Sequence, residues 1–276
     1  MTTVTREDVR KSAEKLGIKK GDSVIVHSSL KSLGYVEGGP DAVIDGFLDA
    51  VTEEGTLIVP TLCQRDWEHV YENWHIDAPS DVGLITNVFR KRKEALRSNQ
   101  ATHSVAAIGK DALYITKTHG ETGKRIGIFG DTPFSEDSPW EKMYHMNTKM
   151  VFLGVGMLYA TMRHYAEYVF VNDSLSKIKD CEEYEEMKNQ LWLYDGEEKV
   201  WPHIENEPIC ATLKEQGKVK QAVCGDATLL CVEAKEFTDF CMKVMEEADE
   251  RYLWDLKIYY NETLQWLRKL KELKGN

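Results

Sequence analysis

A histidine and a glutamate three residues apart are the strongest chemical feature of this sequence. His164 and Glu167 lie in the segment LGVGMLYATMRHYAEYVFVND (153–173), where an apolar run ends at two glycines and a helix is predicted over 161–171. Residues three apart share one helix face, and a carboxylate there can orient an imidazole and stabilise its charged form. The pair is typical of a general base. A surface ion pair explains the pattern equally well, and without a third ligand the spacing is weak support for a metal site.

Three further polar segments interrupt apolar patterns. HSSLKSLG (27–34) follows the run SVIV, and small hydroxyl residues at a strand end leave backbone N–H groups free to meet an anion or a carbonyl. An ordinary loop fits this segment equally well. His103 enters a predicted strand, where a lone histidine is more simply interpreted as a hydrogen-bonded, partly buried residue. WPHIENEPIC (201–210) is predicted to be irregular because prolines bracket it. Its acids, Glu205 and Glu207, are either solvated charge or the lining of a cleft that binds ammonium groups.

The elements that must position these residues alternate between strand and helix. Thr5 is predicted to cap a helix that stops at Gly17. The apolar runs SVIVH and TLIVP flank a helical pattern that begins near Asp41, and such alternation predicts an α/β fold. We expect a three-layer α/β/α arrangement with a mixed central sheet and added helical elements. Further strands are predicted at 104–109, 149–156, 190–201 (a hairpin around Asp195-Gly196) and 219–234, further helices at 82–95, 111–117 and 235–251, and long loops at 63–80 and 118–141.

Composition limits the class of protein. The 276 residues are 42% hydrophobic and 29% charged, which suits a single domain over 1–276. A helical tail at about 252–276 is expected to pack on that domain. No stretch approaches the roughly 18 apolar residues of a membrane span, and the polar start lacks the apolar core of a signal peptide. We therefore expect a cytoplasmic protein with no membrane partner and with reduced thiols at its six cysteines.

The net charge of −11 makes nucleic acid an unfavourable partner, because neutralising phosphates requires a basic surface. The same charge would steer a polycationic substrate toward an acidic cleft, although solubility alone also explains it.

Five blocks in one order resemble the aminoglycoside 3-N-acetyltransferase family, also called the antibiotic N-acetyltransferase family. The resemblance covers roughly residues 5–245 and implies acetyl-coenzyme A-dependent transfer to the 3-amino group of aminoglycoside antibiotics, without a metal. Antibiotic resistance would follow from that activity. The blocks are GIKKGDSVIVHSSLKSLGYVEGGPDAVIDGFLDAV (17–51), EEGTLIVPT (53–61), RSNQATHSVAAIG (97–109), FGDTPFSEDSPWEKM (129–143) and LGVGMLYATMRHYAEY (153–168).

The resemblance also implies roles for individual residues. His164 would be the general base, assisted by Glu205 as its main partner and by Glu167 beside it on the helix. Asp66 and Glu207 would bind the ammonium groups of the substrate. Coenzyme A would contact Ser28, Ser29, Leu30, Lys31, Ser32, His103, Ser104 and Val105.

Two departures from the family pattern leave the acceptor open. Asn99-Gln100-Ala101 stands where many members carry His-Pro, and the loop 63–80 is idiosyncratic. The alternatives are an acyltransferase of the same fold that acts on another amine, and a homologue that binds coenzyme A or an amine without turnover. Either a monomer or a homodimer fits the sequence.

Overall fold

The computed structural model of the chain describes residues 3–66, 68–191, 200–253 and 260–275. Its strands are β1 (Thr3–Val4), β2 (Ser23–Ser28), β3 (Tyr35–Val36), β4 (Thr56–Pro60), β5 (Leu96–Arg97), β6 (Val105–Gly109), β7 (Lys149–Leu153), β8 (Lys220–Cys224) and β9 (Ala227–Glu233). Its α-helices are α1 (Arg6–Lys15), α2 (Gly39–Val51), α3 (Leu84–Phe89), α4 (Ala112–Thr116), α5 (Pro139–His145), α6 (Met162–Lys177), α7 (Tyr184–Asn189), α8 (Asn206–Glu215), α9 (Ala234–Glu247) and α10 (Tyr260–Gly275). The 3₁₀ turns are Leu30–Leu33, Met157–Tyr159 and Glu250–Tyr252.

The central sheet is mixed. Within the described residues, seven strands are ordered β5-β6-β4-β2-β7-β9-β8, and β1 pairs with β3 in a separate ribbon. Strand β2 runs parallel to both of its neighbours, β4 and β7, while the outer strands pair antiparallel. The chain leaves β2 toward β4 and later returns on the other side of β2 as β7. This reversal makes the carboxyl end of β2 a topological switch point, where open α/β sheets bind their ligands.

Each face of the sheet is covered by a separate hydrophobic core. Side chains alternate along β2, so that Ile25 packs into one core while Val24 and Val26 pack into the other. Helices α1, α2 and α3 cover the face of Val24, and helices α4, α5, α6 and α9 cover the face of Ile25. The predicted three-layer α/β/α arrangement with a mixed sheet is confirmed.

Local signals located several elements well. Thr5 caps α1 in a reciprocal capping box with Asp8, as its position before the first acidic turn predicted. Strands β4, β6 and β7 fall within the predicted runs, β2 extends one residue beyond the run SVIVH, and β8 and β9 both lie in the stretch predicted as strand over 219–234. Helix α3 is shorter than the predicted 82–95, because turns follow Phe89 and lead into β5. The hairpin around Asp195-Gly196 lies outside the described residues.

Two helices occupy segments that were predicted to be irregular. Helix α5 begins within the expected loop 118–141, where Ser138 accepts a hydrogen bond from the backbone N–H of Glu141. Helix α8 begins at Asn206, inside the proline-bracketed segment. The prediction there was wrong because Pro208 lies in the first helical turn, where the missing N–H costs no helical hydrogen bond.

The C-terminal helix α10 packs within the same chain. Leu267 and Leu270 join the core beneath α6 and α9, and the indole N–H of Trp266 donates to the carbonyl of Met187 at 2.9 Å. Every helix that the structure describes is too short or too polar to cross a lipid bilayer.

Candidate active site

A cleft of about 630 Å³ opens at the carboxyl ends of β2, β4 and β7. The turn after β2, the loop after β4, the segment before β6 and the first turn of α6 all contribute to its walls. The cleft therefore lies at the topological switch point of the sheet. Its lining residues are His27, Ser28, Ser29, Pro60, Leu62, Gln64, Asp81, Val82, Gly83, His103, Phe129, Val155, Leu158, Tyr159, Ala160, Thr161, Arg163 and His164.

The turn after β2 is held tightly against the end of β7. The backbone N–H of Ser29 donates to Leu153 O at 3.0 Å, and Ser32 Oγ donates to Ser29 O at 2.7 Å. Gly154 has φ +63°, and a Cβ there would lie 1.7 Å from Ser32 Oγ. Only glycine fits this contact. The turn therefore has one fixed shape beside the cleft.

Five residues of this turn were predicted to contact coenzyme A, and the structure separates them. Ser28 and Ser29 line the cleft. Leu30, Lys31 and Ser32 form the 3₁₀ turn behind them, and the Lys31 side chain is exposed. A cation at that position can meet a phosphate only outside the enclosed part of the cleft.

His164 lies at the start of α6, and its hydrogen bonds fix its tautomer. Its Nδ1 lies 3.0 Å from Glu167 Oε2, and its Nε2 lies 3.3 Å from Nη2 of Arg163. A carboxylate only accepts and a guanidinium only donates, so Nδ1 carries the proton and Nε2 presents its lone pair. Phe129 packs edge-on to the ring, with 4.8 Å between centroids. The imidazole is neutral, oriented and largely shielded from water.

Glu167 is fully buried and collects donors from two segments. Its Oε2 accepts from His164 and from the indole N–H of Trp201, both at 3.0 Å. His203 Nδ1 lies 3.5 Å from the same oxygen, and the backbone N–H of Ile204 donates to Oε1 at 3.4 Å. Buried carboxylates need such partners to stay ionised. The segment 201–204 thus fixes the charge beside the histidine.

The two members of this pair have opposite electrostatic problems. Burial lowers the pKa of His164 to about 4, with Glu167 acting in the opposite direction and Arg163 lowering it further. Burial disfavours an ionised Glu167, but His164 and His203 outweigh it and hold the pKa of this carboxyl well below its usual range. At neutral pH the pair is a neutral imidazole beside a carboxylate, which is the state a base requires.

Of the three residues predicted near the pantetheine arm, one reaches the cleft. His103 lines it, with Nδ1 2.8 Å from Thr102 Oγ1 and Nε2 3.3 Å from Gln64 Nε2. Ser104 turns inward, where its Oγ donates to Thr61 O at 3.0 Å. Val105 is a core residue at the start of β6.

The carboxylate against His164 is Glu167 and not Glu205, which corrects the expected order of the two. Glu205 is the residue before α8, and its described contact is a backbone hydrogen bond to Tyr252 O. The neighbouring Asn206 donates to Leu158 O at 3.0 Å, so the start of α8 lies beside the rim of the cleft. Glu207, in the first turn of α8, is exposed there.

The loop 63–80 contributes differently from the prediction. Asp66 is exposed and is hydrogen-bonded within the loop to His69 and Asn73. Asp81, which was not predicted, lines the cleft and accepts from the backbone N–H groups of Gln64 and Arg65 at 2.6 and 2.8 Å.

Arg163, Trp201 and His203 were also missed. Arg163 adjoins His164 in the sequence, which is a usable signal. Trp201 and His203 reach Glu167 only through the fold, and nothing local marks them.

His164, Glu167 and His203 place one ligand atom each within 4.8 Å of one another. A cation would compete there with the hydrogen-bonded arrangement already present. Nδ1 of His164 is the protonated nitrogen, and Trp201 donates to the same carboxylate oxygen. We interpret the cluster as a carboxylate with its donors and assign no metal to it.

Known proteins share this fold and part of the sequence. A family model described as "Aminoglycoside 3-N-acetyltransferase" matches residues 25–246. The chain is 32% identical over 185 residues to the SPbeta prophage-derived aminoglycoside N(3')-acetyltransferase-like protein YokD of Bacillus subtilis (strain 168), a match covering 59% of this chain and 65% of that protein. It is 27% identical over 283 residues to aminoglycoside N(3)-acetyltransferase VII of Streptomyces paromomycinus, covering 88% and 92%. The match therefore spans just under two thirds of the first relative and nine tenths of the second.

A solved structure described as "AAC-IIIb binary with CoASH" superposes with a TM-score of 0.68 at 18% identity, covering 91% of this chain and 98% of that one. At this identity the likeness concerns the fold.

Proposed function

This chain belongs to the aminoglycoside 3-N-acetyltransferase family, and from that membership we propose that it transfers the acetyl group of acetyl-coenzyme A to the 3-amino group of an aminoglycoside. The observation that carries the proposal is the neutral His164, oriented by the buried Glu167 and exposed to the cleft at the switch point of the sheet. A cytoplasmic location, in which acetyl-coenzyme A is available, is part of the same proposal.

The first step is removal of a proton from the acceptor. An alkylammonium has no lone pair, so it attacks nothing until it is deprotonated. Nε2 of His164 accepts that proton, and Glu167 stabilises the imidazolium that forms at a distance of 3.0 Å. Because the carboxylate is shielded from solvent, its effect on the imidazolium is larger than it would be in water.

The second step joins the amine to the acetyl group. The amine nitrogen attacks the thioester carbon, the new C–N bond forms, and the C–S bond breaks as the tetrahedral intermediate collapses. The proton on His164 then passes to the departing thiolate, and the second proton lost by the attacking nitrogen is released to solvent, so that the products are the amide, the coenzyme A thiol and one H⁺. The cleft is flanked by the turn with Ser28 and Ser29 and by the ring of His103. We propose that these groups contact the pantetheine arm and the thioester of acetyl-coenzyme A.

Acids near the cleft would hold the remaining ammonium groups of a polyamine. Asp81 is in the lining. Glu205 and Glu207 lie beside the rim at the start of α8, where Asn206 between them donates a hydrogen bond to Leu158 O. Asp66 belongs to the exposed loop that begins at the same wall.

One observation favours a second acceptor class, an amine with few positive charges. Among the described lining residues, Asp81 is the only carboxylate, and two backbone N–H groups already bind it. An acceptor with a single ammonium would need no more than this. It would be acetylated by the same chemistry.

The test is release of the coenzyme A thiol from acetyl-coenzyme A, with a panel of aminoglycosides and of simple monoamines. We expect turnover with at least one aminoglycoside, and a loss of kcat of at least about 10²-fold in His164→Ala. A preference for monoamines would select the second class. Binding of coenzyme A without turnover of any amine would refute the proposal and favour a binding protein.

A further inference from the structure

Arg163 occupies the nitrogen of His164 that the proposed reaction needs. Its Nη2 lies 3.3 Å from His164 Nε2, its Nη1 donates to Ile204 O at 3.1 Å, and its Nε lies 3.7 Å from Glu167 Oε1. The guanidinium lines the cleft, and its side chain is 14% exposed. The guanidinium of Arg163 therefore contacts the segment 201–204 at one end and Nε2 of His164 at the other, and passes close to Glu167.

His164 Nε2 cannot accept a hydrogen bond from Arg163 and act as the general base at the same time. The lone pair of Nε2 can accept from Arg163 or take a proton from an amine, but it has one lone pair for both. Once His164 is protonated, its Nε2–H would face a second positive group that only donates. The arginine must therefore leave Nε2 before or during proton transfer.

We propose that Arg163 caps Nε2 of His164 in the ligand-free enzyme and that the acceptor amine displaces it. The cap is a positioning device: it selects the tautomer with the proton on Nδ1 and keeps Nε2 unprotonated. This inference rests on the proposed function for its meaning, but the capped state is a property of the free protein.

The geometry makes displacement feasible. A separation of 3.3 Å is at the long end of hydrogen bonds, so the contact is easily broken. The hydrogen bond from Nη1 to Ile204 O gives the guanidinium a second attachment, which lets Nη2 move while the side chain stays anchored. An incoming ammonium, itself a cation, would repel the guanidinium from the cleft.

The test removes the cap and measures the exposed nitrogen directly. Diethyl pyrocarbonate modifies unprotonated imidazole nitrogens, and peptide mass spectrometry locates the product. In ligand-free Arg163→Met at pH 7, we expect modification of His164 to be about tenfold faster than in the wild type, the scale of one hydrogen bond to a charged group. Arg268→Met, an exposed substitution on α10, is the matched control and should leave the rate unchanged.

Turnover gives two further readouts. The KM for the acceptor should fall about fivefold in Arg163→Met because no cap has to be displaced. The acidic limb of kcat/KM should move to higher pH, because a cation that lowers the pKa of His164 is gone. The other ionisable groups facing His164, namely Glu167, His103 and His203, are unchanged in this variant.

Some outcomes would overturn the proposal. They are a folded Arg163→Met in which the modification rate of His164 stays within twofold of the wild type, or an acidic limb that does not move. If that variant does not fold, ¹⁵N NMR of the wild type decides, since a proton found on Nε2 of His164 at pH 7 contradicts a capped lone pair. Modification and NMR need neither substrate, so a failure of acetyl transfer leaves this test intact.

Discussion

Replacing Glu167 by glutamine changes the side-chain size very little but should strongly lower the rate of proton abstraction by His164. The carboxylate stabilises a positive charge on His164, and the two charge centres are about 4 Å apart. At an effective dielectric constant of 20, this electrostatic interaction contributes about 4 kcal/mol. The amide oxygen of glutamine would keep part of that through its dipole if it faced Nδ1. We therefore expect a net loss of about 3 kcal/mol, or about 10²-fold in kcat.

The amide also creates a conflict that the carboxylate does not have. Glu167 Oε2 accepts from His164 and Trp201, and Oε1 accepts from the N–H of Ile204. Whichever way the amide is oriented, its NH₂ group faces donors. One buried mismatch costs about 1–3 kcal/mol, so the melting temperature of Glu167→Gln should fall as well.

The assay is thiol release at saturating acetyl-coenzyme A, with the acceptor that the wild type uses best. Glu215→Gln, at the exposed end of α8, is the control for the same chemical change. A folded Glu167→Gln that turns over within threefold of the wild type would refute the role we assign to the buried carboxylate.

Three other outcomes follow from the same contacts. Glu205→Gln should shift the acidic limb of the rate profile by less than Glu167→Gln does, because Glu205 lies at the start of α8 and not against the base; equal shifts would restore it as the main partner. Gly154→Ala should raise the KM for acetyl-coenzyme A, because the added Cβ collides with Ser32 Oγ and moves the turn; an unchanged KM would separate this turn from coenzyme A binding. Burial lowers the pKa of His119 to about 4 from 6.5, so the unfolded chain binds more protons than the folded chain between these pH values. The free energy of unfolding should therefore decrease as the pH falls from 6.5 toward 4, by about 2 kcal/mol at pH 5. Denaturant unfolding of the wild type and His119→Gln at pH 7.5 and 5.0 measures this decrease, and an identical pH dependence of the two proteins would contradict the assignment.

What the sequence could predict was local. The strand–helix alternation indicated the fold class, the Thr5 cap located α1, and the three-residue spacing put His164 and Glu167 on one face of one helix. In each case the physics operates between residues close in the chain. The family resemblance then favoured a general base over a surface ion pair as the interpretation of these two residues.

What the sequence could not predict depends on the approach of distant segments. The sequence ranked Glu205 above Glu167, whereas Glu167 is the carboxylate in contact with His164, because no local pattern shows that α8 begins at Asn206 and directs this segment toward the rim. Trp201, which donates to Glu167, and His203, whose Nδ1 lies 3.5 Å from it, both come from more than thirty residues away in the sequence. Asp81 lines the cleft only because the loop after β4 returns to it.

The separation of these two groups of residues has a consequence for how the protein can evolve. The proton-handling pair is built on α6 and the segment 201–204, whereas the loop from Leu62 to Gly83 supplies a different wall of the cleft. Two residues of that loop contact groups that pack against His164: the Gln64 amide lies 3.3 Å from His103 Nε2, and the Tyr71 hydroxyl donates to Phe129 O. The described contacts of the rest of the loop do not reach Glu167 or His164, so that part of its sequence can diverge without retuning the base. A lineage could thus exchange one acceptor for another by remodelling a surface loop, and a laboratory library that leaves Gln64 and Tyr71 unchanged should yield new specificities at little catalytic risk.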